Sequence, residues 1–260
     1  MGAHHPTAFY MNSQYKREAS WLIQEKYQGH LTAQAKKDLV KLAQGEPVDY
    51  LIGFVEFAGC KIDVSFRPLI PRPETEYWTL ETIEELKEEG KEDIACLDMF
   101  AGSGCIGMAV LKHLPKAKID FAEKERKLKK QILLNLKHNG FDNRGSRVLT
   151  SDVFSKVSGM YDCILANPPY IPETEQGKVQ KSVVDYEPLG ALFAGEDGLK
   201  YIRRFLKEAK SHLHSGGRII MEFDSPQKSA IERLADREGY ASCECRKDQY
   251  GKWRWCEIIL

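Results

Sequence analysis

Neither sign of charge is in excess in this chain, where 38 lysines and arginines face 38 aspartates and glutamates. A whole-molecule positive field that would draw the protein onto nucleic acid is therefore excluded. Local basic patches are not, but a protein or small-molecule partner gains weight. No apolar run reaches the roughly eighteen residues needed to span a bilayer, and the N-terminus lacks the apolar core of a signal peptide. The reading is a soluble, cytoplasmic protein, a monomer by default. Disulfide scaffolds and zinc ribbons are also missing. The seven cysteines, at 60, 96, 105, 163, 243, 245 and 256, are odd in number and include no Cys-x-x-Cys pair. They read as reduced core thiols. Cys243 and Cys245 fit alternation along a strand, and no metal site is expected. Internal repeats and low-complexity tracts are absent too.

What is present suits one substantial core with a small appendage. Residues 1–10, with His4-His5, read as an appended leader ahead of a native start at Met11. Residues 11–52 carry Trp21, Leu22, Ile23, Leu31, Leu39, Val40 and Leu42 among many charges. That spacing predicts a small helical domain of two amphipathic helices broken near Gly29-His30. Residues 53–75 alternate apolar and polar side chains around Ala58-Gly59, which predicts a β-hairpin linker, and Pro73 opens a helix running to about residue 89.

Residues 76–260 then read as the catalytic domain. Strands are predicted at 94–100, 118–123, 147–151, 161–166 and 218–223, and helices at 105–113, 126–138, 199–213 and 226–238. A loop spans 168–197, and two closing strands lie at 242–247 and 252–259. Strands alternating with helices predict an α/β fold with a Rossmann-like parallel sheet covered on both faces, and the closing hairpin predicts an antiparallel last strand. The charge run at 123–130 reads as a solvated helix face.

Two turns carry the chemistry. Leu97-Asp98-Met99-Phe100-Ala101-Gly102-Ser103-Gly104-Cys105-Ile106-Gly107 places a glycine-rich turn between strand and helix, where backbone can approach a ligand closely. A dinucleotide fold is one reading. Against it, Asp98 would repel a pyrophosphate but could hold a cationic aminoacyl group, and no hydride-transfer constellation follows. S-adenosylmethionine carries an ammonium and a sulfonium, and so fits better. Glu123 ends the second strand, where its two oxygens could accept both ribose hydroxyls. Asp152 ends the third, placed to accept from an adenine amino group while Val153 packs the ring.

The second turn, Asn167-Pro168-Pro169-Tyr170, follows the fourth strand directly. An amide or aryl amine nitrogen is a poor nucleophile because its lone pair is delocalised. If the Asn167 side-chain oxygen and the Pro168 carbonyl each accept one N–H, the lone pair is steered toward the methyl and developing positive charge is stabilised. The prolines fix the backbone that aims the carbonyl, and Tyr170 offers a flat face to the planar group.

The chain resembles the HemK/PrmC family of peptide-chain release factor glutamine methyltransferases from about residue 45 to the C-terminus. The likeness rests on Gly45-Glu46-Pro47-Val48-Asp49-Tyr50-Leu51-Ile52-Gly53, Ile70-Pro71-Arg72-Pro73-Glu74-Thr75-Glu76, the two turns, Val184-Asp185-Tyr186-Glu187-Pro188 and Asp197-Gly198-Leu199. It implies a class I S-adenosylmethionine-dependent methyltransferase fold, with Phe100, Ala101, Gly102, Ser103, Gly104, Glu123, Asp152 and Val153 at the cofactor. Asn167, Pro168, Pro169 and Tyr170 would hold the glutamine of a release factor's Gly-Gly-Gln loop. Related ribosomal-protein glutamine methyltransferases typically carry Pro-Arg-Ser-Pro in the linker, where this chain has Pro-Arg-Pro-Glu-Thr. The chain departs from the family in Phe100-Ala101, where many members have Gly-Thr, and in a shorter helical N-terminus. A nucleic-acid amino methyltransferase and an inert cofactor-binding scaffold are the competing readings.

Overall fold

The computed structural model describes residues 13–260; the leader assigned to residues 1–10 and the start at Met11 lie outside the described residues. Contacts divide the chain into two compact units at Gly53. In the first, α1 (Ser13–Tyr27) packs against α2 (Ala33–Ala43) and α3 (Val48–Ile52). Thr32 caps α2 by accepting the Ala35 N–H at 3.0 Å. The break near Gly29-His30 is where it was expected, but α3 was not foreseen, because five residues are too few to show a helical period. The apolar stripe is also thinner than the sequence suggests. Leu22 and Leu42 are buried, whereas Trp21, Leu31 and Val40 are exposed. The buried Asp38 carboxylate instead draws the helices together, accepting from Tyr27 Oη at 2.6 Å and Lys26 Nζ at 2.9 Å.

The second unit begins with the hairpin β1 (Phe54–Phe57) and β2 (Cys60–Asp63). Its two turn residues, Ala58 and Gly59, both have positive φ, as a tight hairpin turn with right-handed strand twist demands. Helix α4 (Pro73–Glu88) follows, then a seven-stranded sheet built from β3 (Ala95–Met99), β4 (Lys118–Glu123), β5 (Val148–Thr150), β6 (Tyr161–Ala166), β7 (Leu213–Glu222), β8 (Ser242–Lys247) and β9 (Trp253–Ile259). The order is β5-β4-β3-β6-β7-β9-β8, parallel except that β9 runs antiparallel to both its neighbours. The helices are α5 (Cys105–His113), α6 (Arg126–His138), α7 (Lys181–Tyr186), α8 (Lys200–Ala209) and α9 (Lys228–Arg237).

The period of two along each strand sorts side chains onto opposite faces of the sheet. Cys96, Cys163, Leu165 and Ile220 join one core with Met108 of α5 and Ile132 of α6. Leu97, Ile164, Ile219 and Met221 join the other, with Phe205 of α8 and Ile231 of α9. The last glycine of the turn motif, Gly107, is a packing residue: a Cβ there would lie 2.2 Å from the Phe121 ring of β4. All seven cysteines are free, and Cys243 and Cys245 alternate along β8.

Most boundaries fall within two residues of expectation, and two lie further off. The helix predicted at 199–213 ends at Ala209, and β7 starts at Leu213, five residues early. Gly216-Gly217 hides the strand from a hydropathy reading, and the pairing with β6 shifts register between Tyr161 and Cys163. The predicted loop 168–197 contains α7 and 3-10 turns at Glu173–Lys178 and Leu189–Ala191. Its ends are tied by Ile171 N–H to Leu192 O at 2.9 Å and Ala194 N–H to Ile171 O at 3.0 Å.

Helix α6 carries a polar column at i, i+4 and i+8 that fastens the hairpin. Asn139 and Asn135 use their amides like strand residues, each accepting from and donating to the backbone of Lys61 and Asp63 respectively. Gln131 accepts the Phe66 N–H at 2.9 Å. Asn135 Nδ2 also reaches Ser103 O at 2.9 Å, so the same helix holds the glycine turn.

Candidate active site

The strand order turns about β3: β4 and β5 lie on one side, β6 and β7 on the other. Loops leaving the carboxyl ends of β3 and β6 therefore part in opposite directions and open a crevice between them, the usual ligand site of such sheets. The glycine turn and Asn167-Pro168-Pro169-Tyr170 are those two loops.

A cavity of about 220 Å³ fills the crevice, lined by Phe100, Gly102, Glu123, Asp152, Val153 and Asn167, among others. A second, of about 130 Å³, is bounded by Arg72, Asn167, Tyr170, Val183 and Glu222. A third, of about 40 Å³, is lined by Thr75, Ala101, Ser103 and Asn167, among others. Leu69 and Asn167 line all three. Three of the sequence candidates, Asp98, Gly104 and Pro168, line none of them.

Glu123 is buried at the end of β4, and burial raises its carboxyl pKa above the usual range. Its Oε2 accepts the Gly102 N–H at 2.9 Å and its Oε1 the Glu125 N–H at 2.7 Å. Each oxygen keeps one further acceptor direction, so the residue both shapes the glycine turn and can take a pair of hydroxyls. Asp152 borders the same cavity and pairs through Oδ2 with Arg204 at 3.0 Å. Asp98 is fully buried beneath the turn. Its Oδ2 accepts the Gly107 N–H at 3.0 Å, while Oδ1 is buried without a partner. Burial drives its pKa well above the ordinary carboxylate value.

Two cavity residues hold backbone conformations that side chains avoid, Phe100 at φ 61° and Val153 at φ 51°. At Phe100 this costs about 1–2 kcal/mol. Its ring meets Tyr201 and Phe205 edge-on at 6.3 and 5.8 Å, contacts worth about 0.5–1.5 kcal/mol each. The aromatic packing thus offsets the cost of that conformation.

At the other loop, Asn167 Nδ2 donates to Thr75 Oγ1 at 3.2 Å, and Tyr170 Oη donates to Glu222 Oε1 at 3.1 Å. Burial, then the neighbouring Glu222 charge, pushes the Tyr170 pKa well up, so its hydroxyl stays protonated. Gln227 Nε2 holds the Tyr170 carbonyl at 2.9 Å. Arg72 pairs with the buried Glu187, whose other oxygen accepts the Ile70 N–H at 3.1 Å.

The Methyltransferase small domain model matches residues 80–186. A release factor glutamine methyltransferase from Thermodesulfovibrio yellowstonii is 36% identical over 207 residues, covering 79% of this chain and 74% of that protein. One from Streptococcus pneumoniae is 34% identical over 237 residues, covering 87% and 81%. The chain belongs to the release factor glutamine methyltransferases. A solved ribosomal protein L11 methylase from Lactobacillus delbrueckii subsp. bulgaricus shares the fold, with a TM-score of 0.54 at 18% identity over 76% of this chain and 82% of that one.

Members of this family are S-adenosylmethionine-dependent protein glutamine N-methyltransferases, and the crevice fits that cofactor: a largely apolar cavity whose lining carries the carboxylates of Glu123 and Asp152, acceptors suited to the hydroxyl and amino groups of a nucleoside. The residues missed by sequence reasoning are Leu69, Thr75, Glu187 and Glu222. Thr75 and Glu187 stand inside the quoted family segments. Glu222 was readable as a carboxylate ending the strand beside the catalytic one.

Proposed function

We propose that this chain methylates the side-chain amide nitrogen of the glutamine in a release factor's Gly-Gly-Gln loop, with Asn167 as the group that orients the nitrogen. The position of Asn167 on the wall shared by all three cavities carries the reading. A planar amide entering beside Tyr170 meets a methyl donor in the larger cavity only at that wall. S-adenosylmethionine supplies an electrophilic methyl on its sulfonium. Asn167 Oδ1 and the Pro168 carbonyl accept the two amide hydrogens, Tyr170 stacks on the amide plane, and the lone pair is left facing the methyl. Glu123, Asp152 and Val153 hold the nucleoside, with Phe100, Ala101, Gly102, Ser103 and Gly104 wrapping its aminoacyl side and Asp98 beneath. No residue has to act as a strong base, because the methylated amide loses its proton readily.

The test supplies labelled S-adenosylmethionine with a release factor, its Gln→Ala loop variant, ribosomal protein and nucleic acid in separate reactions. Label is expected on the release factor and absent from the Gln→Ala variant. Label on nucleic acid but not on the release factor would overturn the proposal.

A further inference from the structure

The two groups that the proposed mechanism needs in fixed orientation, the Asn167 amide and the Tyr170 ring, converge on a single buried carboxylate. Glu222 ends β7, next to the strand that delivers the catalytic turn, and is 2% exposed. Its Oε2 accepts from Trp78 Nε1 at 2.7 Å and from Thr75 Oγ1 at 2.6 Å, and its Oε1 accepts from Tyr170 Oη at 3.1 Å.

The proton positions follow from donor and acceptor inventory. The Trp78 indole N–H can only donate, so Oε2 is an accepting oxygen. With Glu222 ionised, Oε2 has no proton to give, so the short contact takes the one hydroxyl proton of Thr75. Thr75 Oγ1 therefore faces Asn167, 3.2 Å away, with lone pairs alone, and only the Asn167 NH₂ can meet it. The amide is thereby fixed in one of its two flips, with Nδ2 turned to Thr75 and Oδ1 turned the other way. A reversed amide would set oxygen against oxygen at Thr75 and offer the substrate nitrogen a donor where it needs an acceptor.

We infer that Thr75 and Glu222 are positioning residues for methyl transfer: Glu222, acting through the Thr75 hydroxyl, sets the orientation of the Asn167 amide, and through Oε1 it sets the Tyr170 ring. This rests on the proposed role of Asn167 as an acceptor. It also gives Thr75, in the linker segment at 70–76, a task beyond starting α4. Burial raises the Glu222 pKa, with the Thr75 and Trp78 hydrogen bonds opposing it. A carboxylate in that setting keeps its donors tightly, because no water competes for them.

The test compares Thr75→Val, Thr75→Ala, Thr75→Ser and Asn167→Ala with the parent enzyme on the release-factor substrate, measuring kcat and KM, S-adenosylmethionine affinity by calorimetry, and thermal melting. Valine matches threonine in shape but leaves the Asn167 amide free to flip. Thr75→Val is expected to lower kcat about tenfold, the worth of one oriented hydrogen bond, with KM and cofactor affinity within about twofold. Thr75→Ala is expected to do the same, which covers the case that the valine variant does not fold. Thr75→Ser keeps the hydroxyl and is expected to restore kcat to within about threefold of the parent, a rescue that a purely packing role of the threonine methyl would not produce. A Thr75→Val or Thr75→Ala enzyme with parental kcat would overturn the positioning role while a crippled Asn167→Ala enzyme left the acceptor role standing. An Asn167→Ala enzyme with near-parental kcat would remove the acceptor role, and the positioning role with it.

Discussion

The two ends of the active site are built differently. On the proposed reading, the cofactor end comes from successive strand ends: the glycine turn after β3, Glu123 at the end of β4 and Asp152 after β5, each within a short contiguous motif. The proposed substrate end is stitched from remote segments. Thr75 meets Glu222 across 147 residues, Asn167 meets Thr75 across 92, and Arg72 meets Glu187 across 115. The first arrangement tolerates local change as long as a strand end stays in place. The second depends on several loops being seated together, so damage at one point should spread through the substrate end while sparing cofactor affinity.

The sharpest way to break that contrast is Gly198→Ala. Gly198 has φ 72°, and a Cβ there would lie 2.2 Å from the Tyr170 carbonyl and 2.7 Å from Gln227 Nε2. The turn must shift, and a shift of about 1 Å at a reacting centre costs on the order of a hundredfold in rate. Steady-state kinetics should show that loss in kcat, with the calorimetric affinity for S-adenosylmethionine within about twofold. Equal loss of both would mean that the ends are mechanically one.

Glu123→Gln probes the converse. It removes the charge while keeping much of the shape, and should weaken cofactor binding about tenfold, with kcat at saturating cofactor little changed. A drop in kcat at saturation would place Glu123 in the transition state rather than in the cofactor cradle.

The smallest effect should come from Asp98→Asn, read against pH. Burial raises the folded-state pKa of Asp98 above its unfolded value. The folded protein therefore binds that proton more tightly, and the resulting stability is complete below the ordinary carboxylate value and lost as pH rises through the raised one. Asparagine does not titrate. The cofactor-free variant should melt close to the parent in acid and above it once pH passes the raised value. Parental cofactor affinity should rise across the same interval, as an ionised Asp98 meets the ammonium, and the variant should lack that rise. A pH-independent melting difference would contradict the assignment.

These differences also mark what could be read from the sequence. The strands and helices of the parallel core show as short apolar runs alternating with amphipathic helical segments, because both faces of the sheet are covered. Errors fell where that signal is interrupted, at Gly216-Gly217 ahead of the apolar half of β7, and where an element is too short to carry a period, as in α3 and α7. Phe100, Gly102, Glu123, Asp152 and Val153 were nameable because each sits at the end of a strand or in a glycine turn, and the structure gathers them around one cavity. Glu222 also ends a strand and Thr75 lies in a quoted segment, but neither position shows the hydrogen bonds that give these residues their importance, which only the folded chain makes. The positive φ of Phe100 and Val153 has no sequence signature at all, since neither residue favours that conformation.

The most direct measurement is Asn167→Ala, in a single experiment that follows methyl transfer to the release factor and cofactor binding together. Loss of an oriented acceptor at the reacting nitrogen should lower kcat by about a hundredfold or more, while S-adenosylmethionine binds with nearly parental affinity. Parallel loss of affinity and turnover would show that Asn167 chiefly shapes the cofactor cavity, and would contradict its assignment to the glutamine amide.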